Sequence, residues 1–143
     1  MADVYRVRRL LEPAVLREFP TFGGAAARVP ALGAAVSEGR AAADRDDWDG
    51  VASANQHFHR AVVALAGSPR LDATMELLLA EMRLFFHQMD GAEEFHRPYL
   101  EENARIAEHV AAGRAAEAAE QMASYLSAAE RQLVTAFGAS PVA

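Results

Sequence analysis

The sequence contains no cysteine. Disulfide staples, thiolate chemistry and cysteine-ligated zinc or iron–sulfur clusters are thereby excluded, and any metal would need nitrogen or oxygen donors. No apolar run approaches the roughly 18 residues that cross a bilayer, because charges interrupt every run within a few positions. No basic-then-apolar leader opens the chain either, so a soluble, cytoplasmic protein is expected. Positive charge is in deficit: 14 basic residues against 20 acidic ones give a formal net charge of −6. The arginines of "RVRRLLEPAVLR" are spread along an amphipathic segment and form no dense patch. Direct binding of nucleic acid by this chain alone is therefore not expected. β-Branched and aromatic residues are scarce, alanine and leucine dominate, and 52% of the 143 residues are apolar. That composition predicts one all-α domain closed around a single core.

What is present is helical periodicity with short punctuation. Val4, Val7, Leu10, Leu11, Val15 and Leu16 recur at three- and four-residue steps, predicting a helix from Asp3 to about Glu18 that Pro13 either kinks or splits. "FPTFGG" breaks the chain, and an alanine-rich stretch interrupted by Pro30 then reaches about Asp44. The acids of "DRDDWDG" are N-cap candidates for a helix from Trp48 to Ala66. Gly67 suits its C-terminal exit, and Pro69 suits the first turn of a helix from about Arg70 to Met89. "DGAEEFHRP" reads as an interruption, followed by helices at about Pro98–Ala112 and Ala115–Phe137. About six helices in an antiparallel bundle are expected over residues 1–138, with 139–143 a C-terminal tail. No internal repeat and no low-complexity linker is visible.

Chemistry in such a bundle sits where polar side chains interrupt apolar faces. Asn55 and His59 are four apart, on a stripe that Val62 and Ala66 continue toward the core, so both can point inward. His57 falls on nearly the opposite face and reads as solvent-facing. His96 and His109 lie in loop and acidic surroundings and are expected to be solvated. Arg83 interrupts "MELLLAEMRLFFHQM" beside Met82 and Phe86: it either lies exposed or points inward to an anion, and His87 shares its stripe. Trp48 either anchors the start of its helix or lines a cavity.

Three blocks carry a resemblance. "VYRVRRLLEP", with Tyr5, Arg8, Leu11, Glu12 and Pro13, precedes "NQHFHRAVVALAGSPRL", with Phe58, His59, Ser68, Pro69 and Leu71, and "EENARIAEHVAAGRAAEAAEQMASYL" follows. In this order and with these gaps the chain, from Tyr5 through Leu126, resembles the FCD domain, the C-terminal effector-sensing domain of FadR-type regulators in the GntR family. The resemblance implies a helical bundle around a central ligand cavity, where many members bind a divalent metal through one aspartate and three histidines. Carried over position by position, the ligand slots fall on Asn55, His59, Asn103 and Tyr125, of which only His59 keeps the family's residue. One imidazole, two neutral amides and a phenol offset the dehydration of a divalent ion poorly, so a family-type zinc, nickel or manganese ion is not expected, His59 being the single surviving ligand. The cofactor is otherwise left open. What is left is a polar cluster in an apolar interior, the usual make-up of an organic-ligand site.

Arg8 matches the family's first-helix arginine, and either clamps a ligand carboxylate or pairs with Glu12 four residues on. Typical members carry a winged-helix domain ahead of this region, whereas "MADVYRV" reads as a natural start and favours a freestanding chain. Two readings follow. One is an effector-sensing module that binds a small organic metabolite through Arg8, Asn55, His59, Arg83, His87, Asn103 and Tyr125, forms a homodimer, and signals to a DNA-binding domain or partner. The other is an enzyme on the same cavity, with His59 as acid/base or cofactor ligand and Tyr125 beside it. A dimer scaffold with a dead cavity is a third possibility.

Overall fold

Helix begins at the second residue of the chain. The structure, a computed structural model, describes residues 1–138; the expected tail at 139–143 lies outside the described residues. The elements in order are α1 (Ala2–Glu18), a single 3-10 turn (Phe19–Thr21), the one-turn α2 (Ala25–Arg28), α3 (Pro30–Asp44), α4 (Trp48–Ala64), α5 (Pro69–His87), α6 (Ala92–Ala111) and α7 (Ala115–Gly138). The six long helices form the expected all-α bundle. α1 lies along α7, α3 lies along α4, and α6 packs against α7, α3 and α4, while α5 leans on α4 and more lightly on α1.

The punctuation works through identifiable groups. The Asp47 side chain caps α4 by accepting from the Gly50 amide at 2.9 Å, and Ser68 caps α5 by accepting from the Leu71 amide at 3.3 Å. Gly67 between them adopts φ +61°, a left-handed conformation that favours glycine, and the Arg28 guanidinium packs where a Cβ would sit. Pro30 occupies the first turn of α3, where a missing amide hydrogen costs nothing.

Two expectations about proline need adjustment. Of the two alternatives for Pro13 the split does not occur, since α1 runs through it unbroken. The interruption expected across "DGAEEFHRP" is confined to residues 88–91, and α6 starts at Ala92 and passes through Pro98. Gly91 at φ +81° makes the turn, Glu93 and Glu94 favour the positive end of the helix dipole, and burial of Phe95 and Tyr99 offsets the hydrogen bond that Pro98 removes.

A main core fills the bundle, with Leu16, Phe58, Val62, Ile106, Met122 and Leu126 fully enclosed, and a smaller cluster of Val63, Met75 and Leu79 lies between α4 and α5. Leu126 touches this core from α7, whereas Leu10 on α1 is 73% exposed. Leu126→Ala is therefore expected to cost about 2–5 kcal/mol in urea-melt stability, against no more than about 0.5 kcal/mol for Leu10→Ala.

Candidate functional site

At the centre of the bundle, polar side chains from four helices meet. Glu12 on α1 is wholly buried, and its carboxylate accepts from Arg8 Nε at 2.7 Å and from His59 Nδ1 at 2.5 Å. On the far side of the imidazole, His59 Nε2 stands 3.1 Å from the Tyr125 hydroxyl of α7. Tyr125 also reaches Asn55 Oδ1 at 2.9 Å, and Asn103 Nδ2 of α6 donates to that same oxygen at 2.9 Å. The structure thus joins Arg8, Asn55, His59, Asn103 and Tyr125 in one hydrogen-bonded cluster. Sequence reasoning saw Glu12 only as a neighbour for Arg8, yet it is the carboxylate that ties α1 to α4.

Protonation follows from the surroundings. Burial works to raise the Glu12 pKa, but Arg8 and His59 outweigh it and hold the carboxyl below its usual range. Burial, aided by Arg8, depresses His59 against the opposing pull of Glu12, so the ring is neutral, with its proton on Nδ1 and a lone pair on Nε2. Burial drives Tyr125 well above 10, leaving a phenol whose hydrogen serves either His59 Nε2 or Asn55 Oδ1. Glu12 and Arg8 balance one another and every other member is uncharged.

That donor set does not fit a divalent ion. Both nitrogens of His59 are already engaged, the phenol holds its proton, and amides fill the two other slots. Among the described residues no three His, Asp or Glu side chains are grouped to hold a metal.

A cavity of about 240 Å³ lies beside the cluster, at the corner where the start of α4, the end of α5 and the start of α6 meet. Arg83 and His87 line it, as does Trp48. Arg83 is exposed, the first of its two expected placements, and lies at the rim of the cavity with Nη2 donating to Gln56 Oε1 at 2.8 Å, while Gln56 Nε2 donates to the Leu79 carbonyl at 2.9 Å. No ion pair to Arg83 occurs among the described residues. Trp48 combines its two expected roles: its indole N–H donates to Asp46 at 2.8 Å, Arg97 covers its ring at 4.7 Å, and the ring faces the cavity.

His96 is the main correction. Expected in solvent, it is 1% exposed at the cavity wall, with Phe86 and Phe95 rings at 4.8 and 5.0 Å and no hydrogen-bond partner on either ring nitrogen. Its burial follows from the early start of α6, which puts His96, Tyr99 and Asn103 on one stripe. That spacing was the available signal, and Pro98 hid it. Gln56, also missed, has no signal beyond its place three residues before His59. His57 is exposed and faces Glu38 at 2.9 Å, as expected, and His109 accepts from Arg114 Nε at 2.9 Å.

With the geometry in place, the FCD domain family model matches residues 3–128. The chain belongs to the FCD domain family. A crystal structure of a protein assigned as a transcriptional regulator GntR, from Rhodococcus sp. RHA1, superposes on this FCD domain with a TM-score of 0.86 and 35% sequence identity. The match covers 94% of this chain and 64% of that one, so the FCD domain spans a little under two thirds of that regulator's length. No curated protein matches the chain. No described helix is long and apolar enough to cross a membrane.

Burial pushes His96 down to about 4. A histidine with a folded pKa below its unfolded value of about 6.5 binds its proton more readily when unfolded, so its contribution is complete above pH 6.5 and is lost as pH falls toward 4. His96→Phe is expected to flatten the stability profile in that window by about 3 kcal/mol, read from urea midpoints at pH 7 and pH 4. Metal chemistry gives a second expectation: zinc, nickel or manganese raises the melting temperature of the FCD domain no more than that of a His59→Ala variant.

Proposed function

We propose that this FCD domain is the small-molecule-sensing part of a GntR-type transcription regulator, taking an organic metabolite into its interior without a family-type metal ion. What supports the reading is the cavity between α4, α5 and α6, lined by aromatic rings and by the exposed Arg83 guanidinium, which has no ion-pair partner among the described residues. A concave space of aromatic side chains with one cation at its rim suits a small polar guest.

Sensing fits these positions better than catalysis does. His59 and Tyr125, the acid/base pair of an enzyme reading, are 1% and 5% exposed and hydrogen-bonded to each other, and neither lines the cavity. A general acid or base must come within hydrogen-bond reach of its substrate. The reading includes a cytoplasmic location and a homodimer; Leu77 and Leu84, 70% and 63% exposed on α5, offer apolar area for pairing. It also includes residues 1–138 as one ligand-binding unit and contact with DNA only through a partner or a further domain.

Trp48, the single tryptophan, sits on the cavity and reports its occupancy. Titration with pooled small metabolites is expected to change Trp48 emission saturably for at least one pool, with the response lost in Arg83→Ala. Native mass spectrometry of the purified domain provides the companion readout. No saturable response and no co-purifying molecule would overturn the sensing reading.

A further inference from the structure

Helix α5 is apolar on two faces. Met75, Leu79 and Met82 are buried against the bundle. On the opposite side Ala73, Leu77, Ala80 and Leu84 are all exposed, Leu77 by 70% and Leu84 by 63%. They follow one another at four-, three- and four-residue steps, which keeps them on one stripe about 17 Å long with the spacing of a seam between two helices. A lone exposed leucine needs no explanation, but two leucines alternating with two alanines in register make a continuous apolar face. The alanines leave hollows into which leucines of a facing helix fit.

The charges beside the stripe point to what covers it. Glu76 and Arg83 each stand one residue before a stripe leucine, so both flank the stripe on the same side. Arg83 has no ion pair among the described residues, and Glu76 is exposed and steadied by Arg60. When two copies of a helix pair antiparallel about a two-fold axis, like flanks face each other. Glu76 then meets the partner's Arg83, and symmetry repeats the contact, so one stripe yields two opposite-charge pairs. Leu77 falls against the partner's Ala80, and Ala73 against the partner's Leu84, large against small along the whole seam. A parallel pair instead brings unlike flanks together and sets Glu76 beside the partner's Glu81, a repulsion that also occurs twice. The stripe is complementary to itself, and in one orientation only.

Resting on the homodimer included in the reading above, we propose that α5 is its interface: α5 packs antiparallel on α5 of a second copy, about a two-fold axis between Leu77 and Ala80, with Glu76 of each copy paired to the partner's Arg83. About three turns of paired helix bury less than the roughly 1,200 Å² of a stable interface, so the association is concentration-dependent.

The test is sedimentation velocity of the whole chain over about 1–300 μM, a range that spans weak association. Leu77→Glu is expected to weaken the dimer by about 10-fold or more, because it places a charge in the seam. Its melting temperature at low concentration is expected to be unchanged, since Leu77 lies outside the core; should this variant not fold, Leu84→Glu carries the same comparison. Glu76→Arg and Arg83→Glu are each expected to weaken self-association by about 5-fold. An equimolar mixture of these two variants restores both charge pairs and is expected to dimerise at least as tightly as the unaltered chain. A dimer that tolerates both Leu77→Glu and Leu84→Glu overturns the α5 interface and leaves the homodimer standing on another surface. Stronger association of Glu76→Arg overturns the antiparallel register, because only a parallel pair sets that position beside Glu81. A chain that stays monomeric throughout removes the interface and the homodimer together.

Discussion

A fully enclosed carboxylate organises this bundle. Glu12 has no exposed surface, and a buried anion persists only where cations and hydrogen-bond donors compensate its lost hydration. Arg8 supplies the charge from one turn earlier on the same helix, and His59 supplies a donor from α4. Removing Arg8 would leave a bare charge in the core and removing His59 would strip one carboxylate oxygen of its donor, so α1, α4 and the arrangement of the His59 ring are set together. Tyr125, Asn55 and Asn103 then take their places around the far edge of the imidazole, which brings α6 and α7 into the same network.

The helical class and most of the boundaries were legible because period and punctuation agreed: apolar residues at helical spacing, capping Asp47 and Ser68, and glycine where the backbone turns left-handed. The central cluster was legible for a different reason. Asn55 and His59 share a stripe by spacing alone, but Asn103 and Tyr125 were reached only through the family resemblance, since no local pattern links positions so far apart in sequence. His96 escaped both routes. A proline two residues away signalled the start of a helix, and the tertiary burial of Phe95 and Tyr99 overrode that signal. Gln56 shows the other limit: a glutamine on a helix announces neither its burial nor the carbonyl it will find.

Ring contacts join the two polar features. From Phe86 at the cavity, edge contacts pass to His96 and Phe95, then to Tyr99, and Tyr99 meets Tyr125 at 4.5 Å, which packs on His59 at 5.2 Å. A close-packed interior responds to a displaced side chain by discrete repacking, not by smooth compression. The cavity and the Glu12 network therefore share one mechanical neighbourhood, and α1, the helix that leads the chain, belongs to it.

The sparse attachment of α5 gives that neighbourhood an uneven stiffness. Its backbone lies near α4 and, slightly, α1, its last turn reaches α6 and α7 only through the Phe86 and Phe85 rings, and it ends beside the Gly91 turn. Segments with few buried contacts open locally at far lower free energy than the whole fold. The end of α5 beside the Gly91 turn is accordingly the part of the cavity wall with the least backbone packing behind it, while Glu12 and His59 lie fully enclosed.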